Sequence, residues 1–237
     1  MYEGIYQFAG VCVCLRTIHH QVHDLCADYR YKAEPALTVT VNPGDIDYER
    51  SKADRTCTDS YLETLAVYRL MADALAVHGV LLVHGSTVAV DGKAYLFAAR
   101  SGTGKSTHTR LWRQLLGDRA VMVNDDKPLV AVMDSGILVY GTPWDGKHHL
   151  STNTAVPLAG ICLLGRGAEN KIWSVSAREA YPALMGQIFR PRDPAALMQV
   201  LVLADRLMER TPLYAMECNM DPQAAVMAYE TMKGTIL

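Results

Sequence analysis

The sequence has no excess of charge of one sign and no long apolar run. Lys and Arg number 23 against 25 Asp and Glu, a formal net charge of −2, and the basic residues form no stripe or run. That balance points to neither nucleic acid nor an anionic membrane as partner. No apolar stretch approaches bilayer length. No N-terminal segment combines a basic end, an apolar middle and a cleavage site, so the expected location is the cytoplasm. The six cysteines include no Cys-x-x-Cys pair, and Cys12 and Cys14 alternate along a strand-like stretch. This predicts buried thiols rather than disulfides or a zinc site. Repeats, low-complexity tracts and long linkers are missing too. The 237 residues suffice for one large core, alone or with a small appended lobe.

Against that background one loop carries chemistry. Ser101-Gly102-Thr103-Gly104-Lys105-Ser106-Thr107 lies between the apolar run 94–98 and a stretch whose Leu111, Trp112, Leu115 and Leu116 recur at helical spacing. Strand, glycine-rich loop and helix is the arrangement that the phosphates of a nucleotide need. Glycines let successive N–H groups aim at phosphate oxygens, and the start of the helix adds its positive end. In this pattern residues 101–107 form the cradle, Lys105 reaches the β- and γ-phosphates, and the Ser106 hydroxyl ligates Mg²⁺. The P-loop pattern G-x-x-x-x-G-K-[ST] has glycine where this chain has Ala99, whose methyl group is accommodated if φ stays negative. The alternative is a Gly/Ser turn that happens to precede a lysine.

Upstream, 86–90 and 93–97 flank Asp91-Gly92, the signal of a two-residue type I′ turn. Val90 then faces Lys93, Val88 faces Tyr95, and the continued ladder brings His84 opposite Ala99 at the mouth of the loop. His84 becomes a candidate for phosphate contact or proton handling, beside the plainer reading of a structural histidine. Downstream, 120–123 reads as a buried strand ending in Asn124-Asp125-Asp126. Successive side chains of an extended segment point opposite ways, so one carboxylate can face a metal and its neighbour an acceptor. The alternative is an acidic turn before Lys127-Pro128. A hairpin leading into the loop argues against small nucleotide kinases and GTPases. Asn170-Lys171-Ile172-Trp173 also lacks the aspartate of a base-reading Asn-Lys-x-Asp motif.

Val83-His84-Gly85, Asp91-Gly92, the 101–106 loop and Asn124-Asp125-Asp126 together resemble the core of HPr kinase/phosphorylase, whose fold is shared with the nucleotide site of phosphoenolpyruvate carboxykinase. The remainder, including 141–147, 156–160 and 212–218, is similar to HPr-kinase-related proteins of bacterial biosynthetic clusters. HPr kinase's own Glu-Ile-Arg-Gly segment is absent. The resemblance implies an α/β protein of the HPr kinase/phosphoenolpyruvate carboxykinase P-loop type, with a mixed and antiparallel sheet. It also implies ATP and Mg²⁺ as cofactors, His84 near the transferred phosphate, Asp125 as base, Asp126 as metal ligand, and a homo-oligomer. The expected activity is phosphoryl transfer to a hydroxyl, first that of a serine in a peptide or small protein, then that of a free amino acid or other small metabolite. A nucleotide-sensing protein that has lost turnover is the second reading.

The rest of the chain supplies the frame. Residues 1–58 are expected to form a β-rich layer, with strands at 5–17 and 36–41, on a catalytic domain spanning 59–237. His19, His20 and His23 read as a solvated turn. Ser60-Tyr61-Leu62-Glu63 reads as a capping box opening a helix that Gly79 stops. Strands are expected at 129–133, 137–140, 158–164 and 171–175, the last two joined by Gly165-Arg166-Gly167. Asp193-Pro194 and Asp221-Pro222 begin two helices, and Pro182 shortens or kinks another. The loop 142–149 is the candidate acceptor side through Trp144 and Lys147, unless Trp144 simply packs into the core. Arg190 and Arg192 are further candidates for an acidic substrate group, or else ordinary surface arginines.

Overall fold

A tight turn at Ala9 (φ 50°) and Gly10 (φ 80°) folds strand β1 (Tyr2–Phe8) back on β2 (Val11–Thr17). The computed structural model describes residues 1–53 and 56–234, so the ends of the expected 1–58 and 59–237 segments lie partly outside the described residues. The sequence shows one β-patterned run here, because Ala-Gly is a weaker turn signal than Asp-Gly. Helix α1 (Gln21–Leu25) leads to β3 (Leu37–Thr40), which pairs parallel with β2 and completes a three-stranded sheet. His23, expected in a solvated turn, is buried instead. Its Nδ1 lies 2.6 Å from the Tyr6 hydroxyl and its Nε2 2.9 Å from Thr17 Oγ1, because α1 turns it onto the sheet.

Helix α2 (Pro43–Arg50) starts on a capping box of Asn42 and Asp45. Helix α3 (Asp59–Leu75) is capped by Thr58, whose hydroxyl accepts from Tyr61 N–H, and not by the expected Ser60/Glu63 box. Glu63 is buried and accepts from Ile18 N–H (2.5 Å), His19 N–H (2.8 Å) and His19 Nδ1 (3.0 Å). Two unpaired backbone donors of a neighbouring loop outcompete the local cap. Gly79, with φ 78°, ends the helical stretch as expected.

The remaining elements are β4 (Val80–Leu82), β5 (Gly85–Val90), β6 (Lys93–Ala98), α4 (Lys105–Leu116), β7 (Ala120–Asn124), β8 (Leu129–Met133), β9 (Gly136–Tyr140), β10 (Ala155–Arg166), β11 (Lys171–Ser174), α5 (Ala177–Met185), α6 (Pro194–Glu209), β12 (Leu213–Cys218) and α7 (Gln223–Lys233). They form a mixed nine-stranded sheet in the order β4-β8-β9-β10-β6-β5-β7, with β12 beside β10 and β11 beside β12. Strands β10 and β11, adjacent in sequence, are thus separated by β12. The long β10 pairs antiparallel with β9 through Ala155, Val156 and Pro157. From Leu158 it runs parallel to β6, with a register shift between Leu158 and Gly160. One strand therefore ties an antiparallel half to the half that carries the loop. Helices α5 and α6 pack on one face, and α4 and α7 on the other around the buried Trp112. Helix α3 and the three-stranded sheet share a third apolar cluster with β4 and β8. Among the described residues no helix is long and apolar enough to cross a membrane.

Candidate active site

The hairpin register follows the Asp91-Gly92 turn: Val90 pairs with Lys93, Val88 with Tyr95, and the ladder runs to Gly85 and Ala98. Strand β6 then gives way to the loop. Gly102 has φ 77° and Gly104 φ 123°, angles that an L side chain rarely adopts, while Ala99 is not among the positive-φ residues. The glycines of the loop serve its backbone path, and the methyl at 99 is tolerated. Helix α4 begins at Lys105 with Gly104 as N-cap and no side-chain cap, and its first turn holds no acidic residue. Its leading N–H groups are left to an outside acceptor, the condition for anion binding at a helix start. Lys105 is buried with Nζ on the Ala99 carbonyl oxygen at 2.9 Å, and desolvation lowers its pKa.

The two aspartates follow the end of a strand rather than continue it. Strand β7 ends at Asn124, whose Oδ1 accepts from Asp126 N–H (2.8 Å) and Lys127 N–H (2.5 Å). This Asx-type turn bends the chain, and both carboxylates line one cavity of about 450 Å³. Asp125 is buried and accepts from Ser86 Oγ at 2.6 Å; Ser86 in turn lies 2.9 Å from Thr109 Oγ1 on α4. Asp126 is more open, with Oδ1 3.5 Å from His84 Nε2 and Oδ2 3.7 Å from Lys127 Nζ.

His84 is held from behind. Its backbone N–H donates to Gln187 O (2.7 Å), and its Nδ1 lies 2.9 Å from Gln187 Oε1. Because an amide oxygen only accepts, Nδ1 carries a proton, which leaves Nε2 facing Asp126. Burial and then Lys105 push the imidazole pKa down, against the opposing pull of Asp126.

Of the residues singled out from sequence, His84, Ser101, Gly102, Gly104, Lys105, Ser106, Thr107, Asp125, Asp126 and Lys147 line this cavity, with Gly146 and His148. Thr103 does not; it faces a second cavity of about 480 Å³ across the loop, walled by His108, Leu111, Arg166, Cys218 and Met220. Arg166 braces the loop there, donating to the carbonyls of Gly102 and Thr103. Trp144 is no substrate surface. It lies in the core against Phe8 and Tyr68, with Nε1 donating to Thr64 O at 3.0 Å, so its ring and N–H are both satisfied by packing. Arg190 and Arg192 do not line the cavity, and Arg192 stacks on Tyr48 at 3.9 Å.

Sequence reasoning passed over Ser86, Gln187, Arg110 and Arg113. Ser86 follows His84 at the two-residue spacing that puts both on one strand face, and Arg110 follows Ser106 at helical spacing, so both carried a signal. Gln187 lies 103 residues from its partner and carried none.

The sequence matches no family model and no curated protein. Among solved structures the chain is similar to the Hpr(Ser) kinase/phosphatase from Coxiella burnetii, at 9% identity and a TM-score of 0.34, over 65% of this chain and 99% of that one.

Proposed function

We propose that this protein is an ATP- and Mg²⁺-dependent phosphotransferase acting on a hydroxyl, with a P-loop fold of the HPr kinase/phosphoenolpyruvate carboxykinase type. One observation carries the reading: an uncapped helix start behind two positive-φ glycines shares one cavity with Lys105, His84 and two carboxylates. A loop that only bound phosphate would need no carboxylates facing it, since these repel the anion.

Ser101, Gly102 and residues 104–107, Lys105 among them, bind the β- and γ-phosphates. The Ser106 hydroxyl and the Asp126 carboxylate are hard oxygen donors of the kind Mg²⁺ takes. Among the described residues no group of three His, Cys, Asp or Glu side chains could hold a metal alone. That fits an ion whose remaining ligands are phosphate oxygens and water. Mg²⁺, when bound, neutralises charge on the phosphoryl oxygens. The acceptor oxygen attacks the γ-phosphorus, the bond to the β-phosphate bridging oxygen breaks, and ADP leaves. Asp125 takes the hydroxyl proton, and His84 lies beside the transferring group. The nucleoside extends into the cavity walled by His108, Leu111 and Met220. The acceptor is a serine-type hydroxyl of a peptide or small protein, or the hydroxyl of a free amino acid or other small metabolite, and the protein works in the cytoplasm as a homo-oligomer.

The test joins binding to turnover. MgATP raises the melting temperature of the wild type, and Asp125→Asn keeps that rise while ATP turnover falls on the order of 10²–10⁴-fold. Stabilisation without turnover in the wild type favours a nucleotide sensor instead. No stabilisation at all refutes the nucleotide site.

A further inference from the structure

A further cavity, of about 340 Å³, opens beside the phosphate cavity and shares Ser106, Thr107, Asp125 and His148 with it. Its outer part is lined by Arg110, Arg113 and Leu150. Ser106, Arg110 and Arg113 are spaced i, i+4, i+7 along α4 and so share one helix face. Unlike Arg16, Arg50, Arg69, Arg119 and Arg206, each of which meets a carboxylate, Arg110 and Arg113 take part in no ion pair among the described residues. The Arg113 Nε is buried with no hydrogen-bond partner. Two neighbouring guanidiniums without a counterion repel each other, and a buried N–H left unpaired is destabilising. An oxyanion entering the cavity relieves the repulsion, because the planar fork of arginine matches a carboxylate or phosphate with two parallel hydrogen bonds.

We propose that Arg110 and Arg113 form an acceptor subsite that binds an oxyanion, carboxylate or phosphate, carried by the same molecule as the hydroxyl that is phosphorylated. This rests on the phosphotransferase reading and deepens it. The cavity holds Asp125, the proposed base, so the reacting hydroxyl belongs at its inner end. The cavity of His108 and Met220 holds neither Asp125 nor Ser106, and so suits the nucleoside rather than the acceptor. Along the helix axis Arg110 and Arg113 lie about 6 Å and about 10 Å beyond Ser106, at 1.5 Å per residue. An extended chain spans about 3.3–3.6 Å per residue. The oxyanion is therefore within two or three residues of the hydroxyl in a peptide, or on the same small molecule. Lys147 adds positive potential in the phosphate cavity, and His148 lines both cavities.

The probes are inorganic phosphate and acetate, titrated separately into protein saturated with Mg²⁺ and the non-hydrolysable analogue AMP-PNP. Melting temperature is the readout, and sodium chloride holds ionic strength constant. Saturating the phosphate loop first leaves only a second anion site to respond. The wild type gains a further saturable rise with at least one probe, and which probe acts tells carboxylate from phosphate. In R110Q/R113Q that second rise is lost while the rise from MgAMP-PNP is kept; R110K/R113K retains it at weaker affinity, since lysine keeps the charge without the fork. Should the double variant fold poorly, R110Q alone weakens the anion response, because this side chain is exposed and carries little packing. No anion response in the wild type, or a response that survives both substitutions, overturns the subsite. A wild type that does not respond to MgAMP-PNP in the first step overturns the nucleotide reading instead.

Discussion

Gln187 grips His84 twice, through its backbone carbonyl at 2.7 Å and through its side-chain oxygen at 2.9 Å. The first bond sets where His84 leaves the ladder, and the second sets which ring nitrogen faces the cavity. So oriented, the ring brings Nε2 to 3.5 Å from the Asp126 carboxylate.

That arrangement predicts how the His84 titration moves, followed by NMR of the ring in the nucleotide-free protein. Gln187→Leu lowers the His84 pKa further, because the hydrogen bond from Nδ1 supports the charged ring. Asp126→Asn lowers it as well, by removing a favourable charge, whereas Lys105→Met raises it by removing an unfavourable one. A shift of opposite sign in any of the three would show that the ring does not sit among these groups as described.

Lys105→Met separates the function of the loop from its stability. The ammonium is buried on a single carbonyl, and desolvation lowers its pKa, so the folded apo protein gains little from the charge. The variant melts at or above the wild-type temperature without ligand. With MgATP the wild type rises by what binding to the folded state supplies, about 2.7 kcal/mol at a hundredfold excess over Kd, and the variant does not. An undiminished rise in the variant would put the nucleotide elsewhere.

The loop and its hairpin were legible in the sequence because their signals are local. Asp91-Gly92 admits one turn and hence one register, and the glycines at 102 and 104 stand where φ is positive. The Asp125-Asp126 pair was legible as a place but not as a geometry. Alternation assumes that the strand continues, and the Asn124 side chain stops it. Trp144 and Glu63 were misread for one shared reason. Their partners, Thr64 and Ile18, lie 80 and 45 residues away, and no periodicity reports which loop a buried group reaches. The same distance hid Gln187, and with it the device that orients His84.

Glu63→Ala measures the anchor that replaced the expected capping box. The substitution strands Ile18 N–H and His19 N–H, which the carboxylate now accepts from, and frees α3 from the turn after β2. Unfolding in urea shows a loss on the order of 3 kcal/mol, as expected for breaking a buried charge-assisted network. Substituting Ser60, the residue that the capping box would require, changes stability by less than about 0.5 kcal/mol. Equal losses for the two would restore the local cap.

His108 gives the protein an acid sensitivity that one substitution removes. Its ring is buried among Phe97 and Trp112, and its Nε2 accepts from Trp112 Nε1–H at 3.1 Å, so Nδ1 carries the ring proton. Burial pushes its pKa from 6.5 to about 4. Between those values the unfolded chain binds a proton that the folded protein does not, so stability falls as pH is lowered through the window and levels off below it. The shift corresponds to about 3 kcal/mol over the window, none of it felt above pH 6.5. His108→Gln keeps an acceptor for Trp112 but has no proton to take up. Its urea midpoint falls less than that of the wild type between pH 6.5 and 4, after subtraction of the constant packing difference at neutral pH. His23, whose pKa is also lowered by burial, contributes equally to both proteins and cancels in the comparison. Parallel pH profiles for the two would mean that the His108 ring is charged inside the fold, or that water reaches it.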